Sequence, residues 1–134
     1  MCIRDRTGTT LGVVDLGSNT ATMQPLPGAS PDAVTPDWDP TGELIVYAAP
    51  PSATSANHEL FAIASTGGTP RRLTFLTAEG GDAAFPSFDD TGQRILFSAT
   101  TPNDASVLAH IGVDGDSLTT MIGQATIIGI HPRP

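Results

Sequence analysis

The residues best suited to chemistry in this chain are a serine in Gly115-Asp116-Ser117-Leu118, three histidines and several closely spaced aspartates. A serine nucleophile needs a general base within hydrogen-bond reach, and that base needs an orienting group. Ser117 would suit ester hydrolysis if a His stood three residues after an Asp, but the chain has no Asp-x-x-His. A Gly-x-Ser-x-Gly elbow is also absent. Zinc needs three or four converging ligands, and His58, His110 and His131 are widely separated with no cysteine beside them. Asp37 with Asp39, or Asp114 with Asp116, could each give two oxygens to Ca²⁺. That ion takes about 6–8 oxygens, so turn formation is the simpler use of these aspartates. The reading therefore expects no catalytic residue, no cofactor and no metal ligand.

The elements that would have to position any site begin after residue 6. Met1-Cys2-Ile3-Arg4-Asp5-Arg6 resembles the in-frame translation of a transposase mosaic end, a tag added in sequencing-library preparation. The hexapeptide is expected to be foreign to the fold. Cys2 is the single cysteine, so cysteine usage carries no information on redox compartment. The reading frame is then expected to open and close inside a larger protein. Setting Arg4, Asp5 and Arg6 aside leaves four basic residues (Arg71, Arg72, Arg94, Arg133) against 13 acidic ones, and no lysine occurs anywhere. Phosphate-backbone binding needs clustered Lys and Arg, so nucleic acid is excluded as an expected partner. No apolar run reaches the ~18 residues of a membrane span, so no membrane insertion is expected.

The chain repeats itself. Shifted by 50, residues 36–49 ("PDWDPTGELIVYAA") overlie 86–99 ("PSFDDTGQRILFSA") with six of fourteen positions identical. Trp38 meets Phe88 and Tyr47 meets Phe97, so Trp38 reads as core. Shifted by 48, "LFAIASTGGTPRRLT" (60–74) overlies "LAHIGVDGDSLTTMI" (108–122). "LGVVDLGSNTATM" (11–23) is an earlier copy of that second half, and "GIHPRP" (129–134) a later copy of the first. The organisation read from this is a tag (1–6), the C-terminal half of a unit (7–28), two whole units (31–76 and 81–124) and the start of another (125–134).

Each unit reads as four strands, A to D: 34–38, 43–48, 60–64 and 71–74 in the first, 84–88, 93–98, 107–113 and 117–122 in the second. Asp39 and Gly42, like Asp89 and Gly92, carry the residue types of a tight A–B turn, and Gly67, Gly68 and Gly115 those of the C–D turn. Gly42 and Gly92 are expected to have positive φ. Strand 43–48 is apolar on both sides, which predicts burial on both faces. Pro70 and the pair Arg71-Arg72 suit an exposed outer edge. No stretch has a 3.6-residue period, so no helix is expected. A four-stranded unit of nearly 50 residues, buried centrally and polar at one edge, is a propeller blade. The fold class is all-β: a partial β-propeller with two complete four-stranded antiparallel blades between two incomplete ones. Cut end blades would expose apolar faces, so the chain alone is not expected to be a stable domain.

The same residues resemble a named family. "PDWDPTGELIVYAA", "ELFAIASTGGTPRRLT" and "AFPSFDDTGQRILFSA" are similar to the WD40-like blades of TolB-type β-propellers, and Gly67-Gly68-Thr69-Pro70-Arg71-Arg72-Leu73-Thr74 is the most specific piece. The chain departs at its A–B turns, and the second blade lacks the Arg-Arg-Leu-Thr ending. The resemblance implies a non-catalytic scaffold for a protein or small ligand, exported to the periplasm or cell surface, with further blades of the same chain as its neighbours. The alternative it implies is the propeller domain of a larger prolyl-oligopeptidase-type serine peptidase, the segment itself still not an enzyme.

In a four-stranded meander the A–B and C–D turns share one face of the disc, and the B–C loops and D–A links share the other. The first set is short; the second, 50–58, 75–83 and 100–106, is longer and varied. Binding sits preferentially on variable loops held by a rigid scaffold. The candidate partner-binding residues are therefore Asn57, Glu79, Asp82, Asn103 and Asp104.

Overall fold

A computed structural model describes residues 2–4, 11–17, 22–103 and 105–122. Its framework is two four-stranded antiparallel sheets in simple meander order and one three-stranded sheet. The first blade is β4 (Val34–Trp38), β5 (Leu44–Ala49), β6 (Glu59–Ala64) and β7 (Arg71–Arg72). The second is β8 (Asp82–Phe88), β9 (Arg94–Thr100), β10 (Ser106–Gly112) and β11 (Thr119–Ile122). The three-stranded sheet is β1 (Cys2–Arg4), β2 (Leu11–Val14) and β3 (Met23–Pro25), with β2 in the middle. Residues 125–134, read as the opening of a further blade, and Asp104 lie outside the described residues.

The hexapeptide expected to be foreign contributes a strand: β1 pairs antiparallel with β2, Ile3 opposite Gly12. It occupies the position that β5 takes against β6. Ladder bonds are made by backbone groups, so any extended segment can satisfy an open strand edge. The pairing therefore carries no information about where the hexapeptide came from.

β5 is buried on both faces because consecutive residues serve different cores. Ile45, Tyr47 and Ala49 join Ile63 and the preceding Leu11, Leu26 and Ala33. Val46 and Ala48 join Leu60, Ala62 and Leu73 and meet Ala83, Phe88, Ile95, Phe97 and Ile111 of the second blade. The strand pleat does the sorting, since side chains alternate across the sheet. Trp38 is half-buried against the first of these cores. Each fully buried Leu, Ile or Phe contributes about 1.5–3 kcal/mol, so blade-on-blade packing is the main cohesive term. The opposite side of the second blade, Leu96, Ser98, Leu108 and His110, is only half-buried among the described residues.

Both innermost strands carry a bulge. Register shifts between Val34 and Asp37 on β4, and between Ala84 and Ser87 on β8. Thr35 and Phe85, each directly before a proline, have φ of 49° and 54°. One extra residue on the bulged strand bends it and increases local twist. The structure has no α-helix among its described residues; one 3₁₀ turn, Leu76–Glu79, lies in the link between blades. β7 is shorter than the 71–74 expected: Leu73 N–H still donates to Leu60 O (2.7 Å), but the Leu60 N–H is taken by the Thr74 hydroxyl (2.9 Å), and both Leu73 and Thr74 stay buried.

Candidate functional site

On the short-turn face Asp39 and Asp89 are consumed by their own turns. The Asp39 carboxylate accepts from the Thr41 hydroxyl (2.5 Å) and from the backbone N–H groups of Glu43 (2.8 Å) and Leu44 (2.9 Å). Asp89 repeats the pattern with Thr91 (2.8 Å), Gln93 (3.2 Å) and Arg94 (3.3 Å). Partial burial opposes ionisation of both, but the donated hydrogen bonds outweigh it and hold both carboxyls below their ordinary value. Gly42 and Gly92 close these turns at φ 77° and 70°. A Cβ on Gly92 would lie 3.0 Å from Cδ of Pro40 on the neighbouring turn. Gly67, Gly68 and Gly115 also have positive φ, and the Gly68 N–H donates to Pro27 O at 2.9 Å. Asp37 ties one blade to the next, accepting from Ser87 Oγ (3.1 Å) and the Phe88 N–H (2.9 Å).

On the long-loop face the four described candidates separate. Asn57 is turned to internal use: its side-chain amide donates to Gly80 O (3.2 Å) and Gly81 O (3.0 Å) of the link between blades. Asp82 likewise accepts from the His58 N–H (2.5 Å) and lies 3.2 Å from His58 Nδ1. These two brace a B–C loop against a D–A link rather than standing free for a partner. Glu79, at the end of the 3₁₀ turn, and Asn103 are exposed.

The paired arginines expected on an exposed edge also divide. Arg71 is exposed and reaches Val113 O (2.7 Å) and Asp114 Oδ1 (3.2 Å) of the second blade. Arg72 is instead half-buried against Glu59, Nη2 to Oε1 2.8 Å, with its guanidinium 4.5 Å from the centre of the Phe75 ring. An arginine can cover apolar surface with its stem and still satisfy its head, so a charged strand edge need not face water. Glu59 is fully buried. It accepts from the Thr74 hydroxyl, the Thr77 N–H (2.7 Å) and Arg72. Burial alone would raise its pKa; the hydrogen bonds from Thr74, Thr77 and Arg72 win and lower it. Sequence reading missed this network, although Glu at the head of an apolar strand, followed by Arg-x-Thr at the end of the unit, was the available signal.

The same face carries two clefts. The first, about 350 Å³, lies between the 30–32 link and the 50–55 loop, lined by Pro31, Pro50, Pro51 and Phe61, with Ser30, Asp32, Ser52 and Ser55 as its polar groups. Its walls are held from inside: Tyr47 Oη accepts from the Ser30 N–H (3.1 Å) and pairs with Ser30 Oγ (2.9 Å), while the Tyr47 and Phe61 rings stack at 5.8 Å and 16°. The second, about 180 Å³, lies at the next junction, where Leu76, Gly81, Pro102, Ala109 and Leu118 line it with Glu79.

Gly115-Asp116-Ser117-Leu118 forms a C–D turn, with Gly115 N–H to Gly112 O 2.8 Å and Gly112 N–H to Asp116 O 2.8 Å. That is a hairpin setting, unlike the strand-to-helix junction a nucleophile elbow requires. No group of three or more His, Cys, Asp and Glu side chains among the described residues could hold a metal ion.

No family model matches the chain, and no curated protein matches it. Solved structures do. A protein assigned to TolB from Agrobacterium tumefaciens superposes with a TM-score of 0.68 at 16% identity, over 91% of this chain and 45% of that one. TolB from Acinetobacter baumannii superposes with a TM-score of 0.64 at 20% identity, over 89% of this chain and 28% of that one. The chain thus spans less than half the length of either structure. At such identities the likeness is one of fold, and the fold is a partial β-propeller of the TolB type.

Proposed function

We propose that the chain is part of a non-catalytic recognition scaffold whose partner docks on the long-loop face. The contrast between the two faces carries this reading. On the short-turn face Asp39 and Asp89 cap their own backbone, and the two A–B turns pack against each other, Gly92 on Pro40. The long-loop face presents two clefts and the exposed Glu79 and Asn103 on links braced from within. A rigid frame with open, dissimilar loops is the usual arrangement for binding. The TolB-type fold supports a scaffold without specifying what is bound, since one fold hosts many activities.

The test is a matched pair of charge reversals in the full-length protein, Glu79→Lys on the long-loop face and Asp90→Lys on the short-turn face. Partners are captured from extracts of the source cell. Loss of the captured partner with Glu79→Lys and retention with Asp90→Lys is expected; the reverse pattern would place binding on the other face.

A further inference from the structure

The two clefts are one architectural feature repeated. Each lies between a D–A link and the following B–C loop, and the shifts that align the blades carry Pro31 onto Gly81, Pro50 and Pro51 onto Thr100 and Thr101, and Phe61 onto Ala109. Among the described residues each has a single carboxylate, Asp32 in the first and Glu79 in the second, and neither lining includes a Lys, Arg or His. We propose that the first cleft takes the guanidinium-bearing side chain of an arginine in an extended cationic peptide. The second cleft receives a further residue of the same segment. The proposal rests on the long-loop face being the docking face and adds what chemistry that face selects.

The lining decides the class. Among the described lining residues an anion would meet Asp32 and no compensating cation, so phosphate and carboxylate ligands are disfavoured. A cation finds Asp32, the hydroxyls of Ser30, Ser52 and Ser55, and the ring of Phe61. Phe61 is half-buried, and its plane is fixed by stacking on Tyr47. A guanidinium is planar, weakly hydrated and able to stack on an aromatic face while donating at its edge; an ammonium is a strongly hydrated point charge. The protein makes the same pairing within itself, where Arg72 lies over Phe75 with Glu59 as its carboxylate. Three prolines in the walls have fixed φ, so little ordering is needed on binding. The volumes, about 350 and 180 Å³, stand at and below the lower bound of ordinary ligand pockets, about 300 Å³. They suit side chains of a draped segment rather than a whole cofactor. Two such sites on one face make the second contact intramolecular and raise avidity without tight binding at either. The chain's net charge of −8 favours approach of a cationic segment.

The experiment uses the full-length protein and fluorescein-labelled tetra-arginine amide, with tetra-lysine amide as the charge-matched comparison, read by fluorescence anisotropy. Tetra-arginine should bind about fivefold more tightly than tetra-lysine. Phe61→Leu, which keeps an apolar side chain of similar bulk, should remove that difference, and Phe61→Tyr should retain it. Asp32→Asn should weaken both peptides, and Asp90→Asn on the opposite face should weaken neither. N-acetyl-arginine amide at equal guanidinium concentration should bind far more weakly; equal binding would assign the cleft to a free guanidine compound and overturn the peptide claim. Equal affinity for the two tetrapeptides, or no response to Phe61→Leu and Asp32→Asn, would overturn the cleft assignment. If Glu79→Lys still weakened binding in that event, the long-loop face would stand as the docking face. An effect confined to Asp90→Asn would remove both readings.

Discussion

The two blades share an inner hairpin and differ in how they hold their outer strand. Thr35-Pro36 and Phe85-Pro86 form the same bulge, and Asp39 and Asp89 cap the same turn. Outside that hairpin the first blade fastens β7 with a buried ionic network of Glu59, Arg72, Thr74 and Thr77. In the second blade the matching positions are Val107, Thr120 and Ile122, and Val107 simply packs against the core. The inner hairpin of the first blade fits a core on each side, so its residues are constrained by two interfaces. The outer strand answers mainly to its own sheet, and polar or apolar anchors both serve.

The largest effect expected from this difference is at Glu59. Glu59→Ala leaves the Arg72 guanidinium and the Thr77 N–H without their buried acceptor and should cost about 3–5 kcal/mol in urea unfolding of the full-length protein. Glu59→Val combined with Arg72→Thr, which writes the second blade's solution into the first, should recover most of that loss. A double variant no better than the single would mean that the outer strands are not interchangeable. The same carboxylate sets an acid sensitivity. Its folded pKa lies below the ordinary 4.5, so its contribution is complete above that pH and disappears as pH falls through the folded value. Asp39 and Asp89 act in the same direction from 3.8 downward. The Glu59→Val, Arg72→Thr variant should therefore lose less stability than the parent between neutral pH and acid.

What could be read from the residues follows from the same contrast. The inner hairpin was legible because one pattern stands twice, in 36–49 and 86–99: a turn with Asp and Gly at fixed positions followed by a strand with Ile, an aromatic and Ala on one side. The bulges were not, since Thr35 and Phe85 take positive φ with side chains that give no sign of it. The outer strand misled in the first blade, where Arg72 carries the residue type of a solvated edge and lies against Glu59 instead. The long-loop face was legible as a set of loops, but which of its polar residues are free depends on tertiary partners. Asn57 and Asp82 look no different in sequence from Glu79 and Asn103, yet the first two are tied to the Gly80–Gly81 backbone and to His58. The clefts arise from residues about 20–30 positions apart, Ser30 and Pro31 with Pro50 and Phe61, whose approach only the stacked blades define.

The shared hairpin allows finer comparisons between blades. Asp39→Ala should cost about 2 kcal/mol and Asp89→Ala about 1, because the bonds to Asp39 are shorter and Asp39 is the more buried. Equal costs would show that the caps act only through the local turn. Gly42→Ala should cost about 1 kcal/mol from positive φ alone, since nothing lies within 4 Å of the added carbon. Gly92→Ala adds the 3.0 Å approach to Pro40 and should cost more. Replacing Pro40 by Ala in the same protein should bring the two glycine costs together; a persistent gap would place its cause in the turn itself.

The smallest effect belongs to the exposed Arg71–Asp114 ion pair between the blades. Arg71 and Asp114 are 3.2 Å apart, with 50% and 79% of their side-chain surface exposed. Exposed pairs of this kind contribute about 0.2–1 kcal/mol and are screened by salt. Asp114→Asn should therefore change stability by no more than a few tenths of a kcal/mol, and raising the ionic strength should erase the difference. Arg71→Ala removes in addition the 2.7 Å bond from the guanidinium to Val113 O. Its effect should be somewhat larger and should persist in salt, because that acceptor is a carbonyl rather than a charge. A double-mutant cycle between the two positions isolates the ion pair from the carbonyl bond. A salt-resistant coupling above about 1 kcal/mol would make the ionic contact a principal link between blades. The expected near-zero coupling leaves that role to the apolar faces of β5, β6, β8 and β9, which meet in one core.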